Sequence, residues 1–183
     1  MNENSAEIRD YLALWAIPGI GSTIARRLIS YGGGIQEIFK LKSNELMRIP
    51  GIGQSLSETI TKGGYYQKAD ETIEFAQKFG INIIHWYDKR YPERLKQCED
   101  SPLILFHKGQ PIDNQMKFLA IVGTRVATQR GQNFCRQLIE DAKNKHNNIC
   151  IVSGLAYGID VAAHKAALEF GVPTIGVLGH GLD

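Results

Sequence analysis

Cysteine is scarce in this 183-residue chain. Cys98, Cys135 and Cys150 are an odd number with no Cys-x-x-Cys spacing, which excludes a disulfide framework and a thiolate zinc site. Cys135 and Cys150 read as small core residues. Long apolar runs are missing too. None reaches the roughly 18 residues that a membrane-spanning helix needs. The opening residues, Met1-Asn2-Glu3-Asn4-Ser5-Ala6-Glu7, lack the basic start and apolar stretch of a secretory signal. A cytoplasmic protein with no membrane partner is expected. There is no excess of one charge: 21 basic and 19 acidic residues leave a net charge of +2, so any surface for a polyanion must be local. The usual nucleotide signatures are also absent. No G-x-x-x-x-G-K-[S/T] occurs. No G-x-G-x-x-G follows Gly123, where the next glycine is Gly131. The strand at 149–152 ends in Ser153-Gly154 with no acidic residue for a ribose. These gaps count against a P-loop NTPase and against a dinucleotide enzyme, and no cofactor, metal or catalytic residue is predicted.

What remains, 43% hydrophobic and 22% charged, describes a globular chain of one or two domains. Composition shifts near residue 66, at Lys62-Gly63-Gly64-Tyr65-Tyr66, so a helical domain over 1–66 and an α/β domain over 67–183 are expected. The helix at about 68–79 leads into the second. The first part holds an internal repeat: Ile17-Pro18-Gly19-Ile20-Gly21 returns as Ile49-Pro50-Gly51-Ile52-Gly53, 32 residues on. Helical segments precede each copy (8–16 and 43–48) and follow it (22–29 and 54–60). This is the helix-hairpin-helix pattern. Ile20 and Ile52 would anchor the hairpins, and Gly19, Gly21, Gly51 and Gly53 would bring backbone N–H groups near a DNA phosphate. Basic residues are sparse there: Arg26 and Arg27 in the first copy, Arg48 and Lys62 in the second. Simple helix packing or a protein-binding role stays open.

The second part alternates β-branched runs with helical patterns, which predicts βαβ units and a mainly parallel sheet. Strands are expected at 81–86, 103–106, 118–122, 149–152 and 174–178. A helix over 133–145 would carry Phe134, Leu138 and Ala142 on one face. A second, over 160–170, would be capped by Asp160 and ended by Gly171 and Pro173. Asp160 and His164, four apart, read as a cap and a packing histidine, and Ser153 lacks the context of a nucleophile. Ligands of open parallel sheets bind beyond the carboxyl ends of the strands. Those ends here are Gly123-Thr124-Arg125, Ser153-Gly154-Leu155-Ala156-Tyr157-Gly158 and Gly179-His180-Gly181. Between Lys117 and Lys145 lie six basic residues (Lys117, Arg125, Arg130, Arg136, Lys143, Lys145) against two acidic ones. The chain stops at Gly179-His180-Gly181-Leu182-Asp183, just past a strand, so a fragment of a longer protein is expected.

These residues resemble the DNA-processing protein family DprA, also called Smf. Ile121-Val122-Gly123-Thr124-Arg125 looks like its G-[S/T]-R motif. The run Val152-Ser153-Gly154-Leu155-Ala156-Tyr157-Gly158-Ile159-Asp160-Val161-Ala162-Ala163-His164 is similar to its longest signature almost throughout. Val177-Leu178-Gly179-His180-Gly181-Leu182-Asp183 opens the next. Tyr91-Pro92-Glu93-Arg94-Leu95, then Ser101-Pro102-Leu103 and Gly109, resemble its entry segment. The likeness is strong over residues 65–183. It implies an α/β, extended Rossmann-like, mainly parallel sheet behind a small all-α, SAM-like helix-hairpin-helix domain. It also implies a non-enzymatic role: binding single-stranded DNA, protecting incoming strands in natural transformation, and loading the RecA recombinase, commonly as a homodimer through the Rossmann-like domain. The implied nucleic-acid contacts fall on Gly123, Thr124, Arg125, Arg130, Ser153, Gly154, Tyr157 and Lys165. Thr124 replaces the commoner serine. Tyr157 stands where many members carry a basic residue, and offers a stacking face instead. The family's segment after Gly-Leu-Asp and its winged-helix-like domain have no counterpart here. The alternative is a nucleotide-binding Rossmann-like enzyme acting on a nucleotide phosphate or glycosidic bond.

Overall fold

Apolar residues at helical spacing build the first half of the molecule, for which the structure, a computed structural model, describes the chain from residue 3; the description ends at residue 182. The helices are α1 (Glu3–Trp15), α2 (Ser22–Tyr31), α3 (Ile35–Ile38), α4 (Ser43–Leu46), α5 (Gln54–Lys62) and α6 (Tyr65–Phe79). Leu12, Leu14, Ile17, Leu28, Ile38 and Leu46 are fully buried between them. Each such side chain contributes roughly 1.5–3 kcal/mol by leaving water. The helix α6 does not lead away into a separate α/β domain. It packs along α1, where the Arg9 guanidinium grips the Asp70 carboxylate at 2.5 and 2.7 Å and the Tyr66 hydroxyl donates to Asp10 at 2.9 Å. Arg9 holds the Asp70 carboxyl below its usual range, while burial, then Asp10, pushes the Tyr66 hydroxyl up to about 12. Both members of the Arg9–Asp70 pair are partly exposed, so it contributes at most about 1 kcal/mol.

A left-handed Gly80 ends α6, and β1 (Asn82–His85) follows. Then come α7 (Glu93–Lys96) and β2 (Ile104–His107), which pairs antiparallel with β1 in the register Ile83↔Phe106, His85↔Ile104. His85 is buried and stacks on Tyr11 of α1, ring centroids 4.1 Å apart and 12° from parallel. This hairpin therefore belongs with the helices. The compact units part between Ile112 and Asp113, not at the expected residues 66/67.

The second unit contains β3 (Lys117–Ala120), α8 (Gln129–Lys145), β4 (Ile149–Ser153), α9 (Ile159–Glu169) and β5 (Thr174–Gly176). The strands are parallel in the order β3-β4-β5, with Leu119 opposite Ile151 and Ser153 opposite Gly176. Ile139, Ile151, Ala163, Ala167 and Cys135 form its core, and the other predicted core cysteine, Cys150, is also buried. The alanines of α9 let α8 lie close. The apolar face expected on α8 is displaced: Phe134 is 70% and Leu138 40% exposed, and the inward residues are Cys135 and Ile139 with Ala142 partly buried. Both stripes have helical spacing, so periodicity alone could not choose between them. Among the described residues, no helix is long and apolar enough to cross a membrane.

Burial holds His85 below its ordinary histidine range, so the folded state takes up this proton less readily than the unfolded chain. Stability is therefore expected to fall as pH drops below about 6.5. Thermal melts at stepped pH check this; His85→Phe, which keeps a ring on Tyr11, should flatten the dependence.

Candidate functional site

Three loops leave the carboxyl ends of β3, β4 and β5, and backbone contacts join them into one surface. The Ile159 N–H donates to the Thr124 carbonyl at 3.1 Å, and the Val177 N–H to the Ser153 carbonyl at 2.8 Å. Gly158, with φ +86°, lies so close to the first loop that a Cβ there would stand 2.1 Å from the Thr124 oxygen. A Cβ on Gly123 would meet the Ile159 side chain at 2.6–2.8 Å. The glycines of these motifs thus permit loop-on-loop packing before any ligand arrives. Leu155, at φ +54°, lies over Gly176.

Several side chains stand outward from this surface. Arg125 is exposed, and its guanidinium has no hydrogen-bond or ion-pair partner among the described residues. Thr124 Oγ1 accepts from the Val126 N–H at 3.2 Å and shapes the turn that carries it. The same three loops also expose Tyr157 (84% exposed), Val126, Val122, Leu155 and Val177. Tyr157 is among the residues expected here; Val122, Val126, Leu155 and Val177 are not, although Val122 and Val126 flank the Gly-Thr-Arg motif. Arg130 is exposed in the first turn of α8 and Lys165 on the outer face of α9. Lys165 lies six residues into its helix, about 9 Å from the loop end, so it stands back from the rim. Two other basic residues of the 117–145 segment are engaged: Arg136 with Glu169 at 2.5 Å, and Lys143 with the Phe170 carbonyl. Asp183 lies outside the described residues.

Other predicted site groups turn inward. Ser153 is buried, and its hydroxyl donates to the Ile121 carbonyl at 2.7 Å, tying β4 to β3. Its hydroxyl is thus engaged within the sheet. The Gly154 N–H donates to Asp160 Oδ2 at 3.2 Å. Asp160 is therefore not the helix cap expected from sequence. Gly158 holds the cap position, and Asp160, in the first turn of α9, reaches back to the loop. Its Oδ1 is buried without a hydrogen-bond partner. One turn on, His164 Nδ1 lies 2.6 Å from Thr174 Oγ1, and that hydroxyl donates to the Ile151 carbonyl at 3.1 Å. The His164 ring is buried, with Nδ1 engaged by this hydroxyl. Burial lowers the His164 pKa, against the opposing pull of Asp160 and of a hydrogen bond to the Ser153 backbone.

The tandem hairpins of the first unit are formed as read. Ile20 and Ile52 are buried; Gly19 and Gly51 take φ +85° and +84°; Gly21 and Gly53 begin α2 and α5 with no side-chain cap. The two arginines of the first hairpin are engaged within the protein. Arg26 donates to the Ser101 carbonyl at 2.6 Å and to the Glu99 carbonyl, and lies over Trp86. Arg27 donates to the Pro50 carbonyl at 2.8 Å, stapling the first hairpin's helix to the second hairpin. Both partners are more than twenty residues away, beyond the reach of local pattern.

Comparison with known proteins agrees with this architecture. Residues 11–63 match the SAM-like helix-hairpin-helix tandem. Residues 82–183 match DNA recombination-mediator protein A. The chain is 31% identical over 170 residues to DNA processing protein DprA of Streptococcus pneumoniae, covering 80% of this chain and 58% of that protein. It is 30% identical over 177 residues to protein Smf of Synechocystis, covering 94% and 44%. The X-ray structure of the S. pneumoniae protein superposes with a TM-score of 0.69 at 27% identity, over 95% of this chain and 59% of that one. The chain thus spans about half the length of the curated relatives it matches. With a Rossmann-like parallel sheet, a preceding helix-hairpin-helix tandem and a family match over more than half its residues, this chain belongs to the DNA recombination-mediator protein A family, the DprA/Smf proteins.

Proposed function

We propose that the chain binds single-stranded DNA across the loops at the carboxyl end of its parallel sheet, as a cytoplasmic, non-enzymatic protein of DNA processing and recombination. The observation that carries this is the exposed Arg125 guanidinium, without a hydrogen-bond or ion-pair partner among the described residues, on a loop held by backbone contacts to the loop that carries the exposed Tyr157. A guanidinium grips phosphate through several donors, and an aromatic face stacks on any unpaired base. The backbone N–H groups of Gly123–Arg125, with Arg130 behind them, complete the path; Ser153 and Gly154 shape it from beneath. Family membership supports a RecA-type recombinase as recipient of the strand, and a homodimer through the Rossmann-like unit as the working form. The helix-hairpin-helix region, 1–66, serves as an accessory module whose hairpin glycines meet DNA or protein. The rival reading, an enzyme working on a nucleotide, needs a free acid or base at the mouth. Ser153, Asp160 and His164 are turned inward instead, and the exposed His180 has its Nδ1 on the Gly181 carbonyl.

The test is titration of a fluorescent oligo(dT) and a duplex of equal length at about 50 and about 200 mM salt. The unpaired strand should bind at least about tenfold more tightly and weaken steeply with salt. Equal affinity for duplex, or binding indifferent to salt, would sink the reading.

A further inference from the structure

We propose that Asp160 is a specificity residue: its buried carboxylate beneath the phosphate path makes the site favour singly charged phosphodiesters and reject doubly charged phosphate monoesters. This rests on the strand-binding reading above and deepens it. Asp160 is 5% exposed and follows Ile159, whose N–H binds the Thr124 carbonyl next to Arg125. Its Oδ2 takes the Gly154 N–H, the donor that a strand-end loop would otherwise aim at a phosphate. One negative charge therefore already occupies that position, stabilised by the amide and by the first turn of α9. Its other oxygen has no hydrogen-bond partner among the described residues. His164 does not cancel the charge. Its Nδ1 is engaged with Thr174 Oγ1, and burial disfavours the charged imidazolium form.

Repulsion between this carboxylate and an incoming phosphate scales with the ligand's charge. An internal phosphodiester carries one negative charge, a terminal monoester close to two at neutral pH. The monoester therefore meets about twice the repulsion; its attraction to the guanidinium doubles too, but Arg125 is exposed and screened by solvent and salt while the buried Asp160 carboxylate is screened much less, so the balance moves against the monoester. The outcome is a site for the interior of a strand that disfavours mononucleotides and phosphorylated ends, which is useful to a strand binder working among free nucleotides.

The experiment is displacement of fluorescent oligo(dT) at pH 7.5 by thymidine 5′-monophosphate and by its singly charged methyl ester, on the intact chain and on Asp160→Asn. With the unchanged protein, the ester should compete at a concentration at least about fivefold lower. Asp160→Asn should improve the monophosphate about tenfold and the ester only about threefold. Equal competition by the two compounds, better competition by the monophosphate, or failure of both compounds with both proteins would overturn the proposal. Should Asp160→Asn not fold by circular dichroism, the comparison on the unchanged protein decides. Absence of oligo(dT) binding in the first place would instead defeat the underlying reading.

Discussion

Gly158→Ala is expected to lower the melting temperature by more than about 10 °C, equivalent to about 3 kcal/mol or more. Two effects combine. At φ +86° and ψ −124° the residue sits where an L-amino acid is strained. The new Cβ would also stand 2.1 Å from the Thr124 oxygen and 2.7 Å from the Arg125 carbonyl. Those are backbone atoms, so no rotamer change relieves the overlap; the loops must separate. Separation breaks the Ile159-to-Thr124 hydrogen bond and moves Arg125. Gly179→Ala is the control, because a Cβ there meets nothing within 4 Å. If thermal melts of the two variants coincide, the loops are not joined as described.

Arg125→Ala should leave the melting temperature within about 2 °C of the unchanged protein, since the side chain makes no hydrogen bond or ion pair among the described residues. Single-strand affinity should nevertheless fall about tenfold near 0.1 M salt. The slope of log affinity against log salt should shrink by about 0.7, the value for one phosphate contact on a single strand. Arg125→Lys keeps the charge but loses the planar donor set, and should recover the slope with only part of the affinity. Filter binding at several salt concentrations checks each figure. Unchanged affinity and slope in Arg125→Ala would remove the strand from this loop.

Much of the architecture was legible residue by residue. Short-range chemistry placed the elements: apolar runs, β-branched in β4 and β5, made the three strands, Gly171 closed α9, and the doubled Ile-Pro-Gly-Ile-Gly produced two hairpins with buried isoleucines. The positions of the three strand-end loops followed from those elements. Roles within the loops were another matter. Ser153 and Asp160 carry the same polar atoms whether they face a ligand or a neighbouring strand, and only the packed sheet shows that they face inward.

The same limit governs the arginines. Arg26, Arg27 and Arg125 are alike in sequence, yet the first two are held by carbonyls up to 75 residues away and the third by none. Periodicity likewise established that α8 is amphipathic, while the strands beneath it selected Cys135 and Ile139 over Phe134 and Leu138 as its inner face. The linear chain by itself determined which segments are helix, strand and glycine turn, because those choices depend on neighbours within a few residues. The tertiary structure alone decided which donors and charges remain free at the mouth of the sheet, because a hydrogen bond is allotted by proximity in space, which the linear order does not contain.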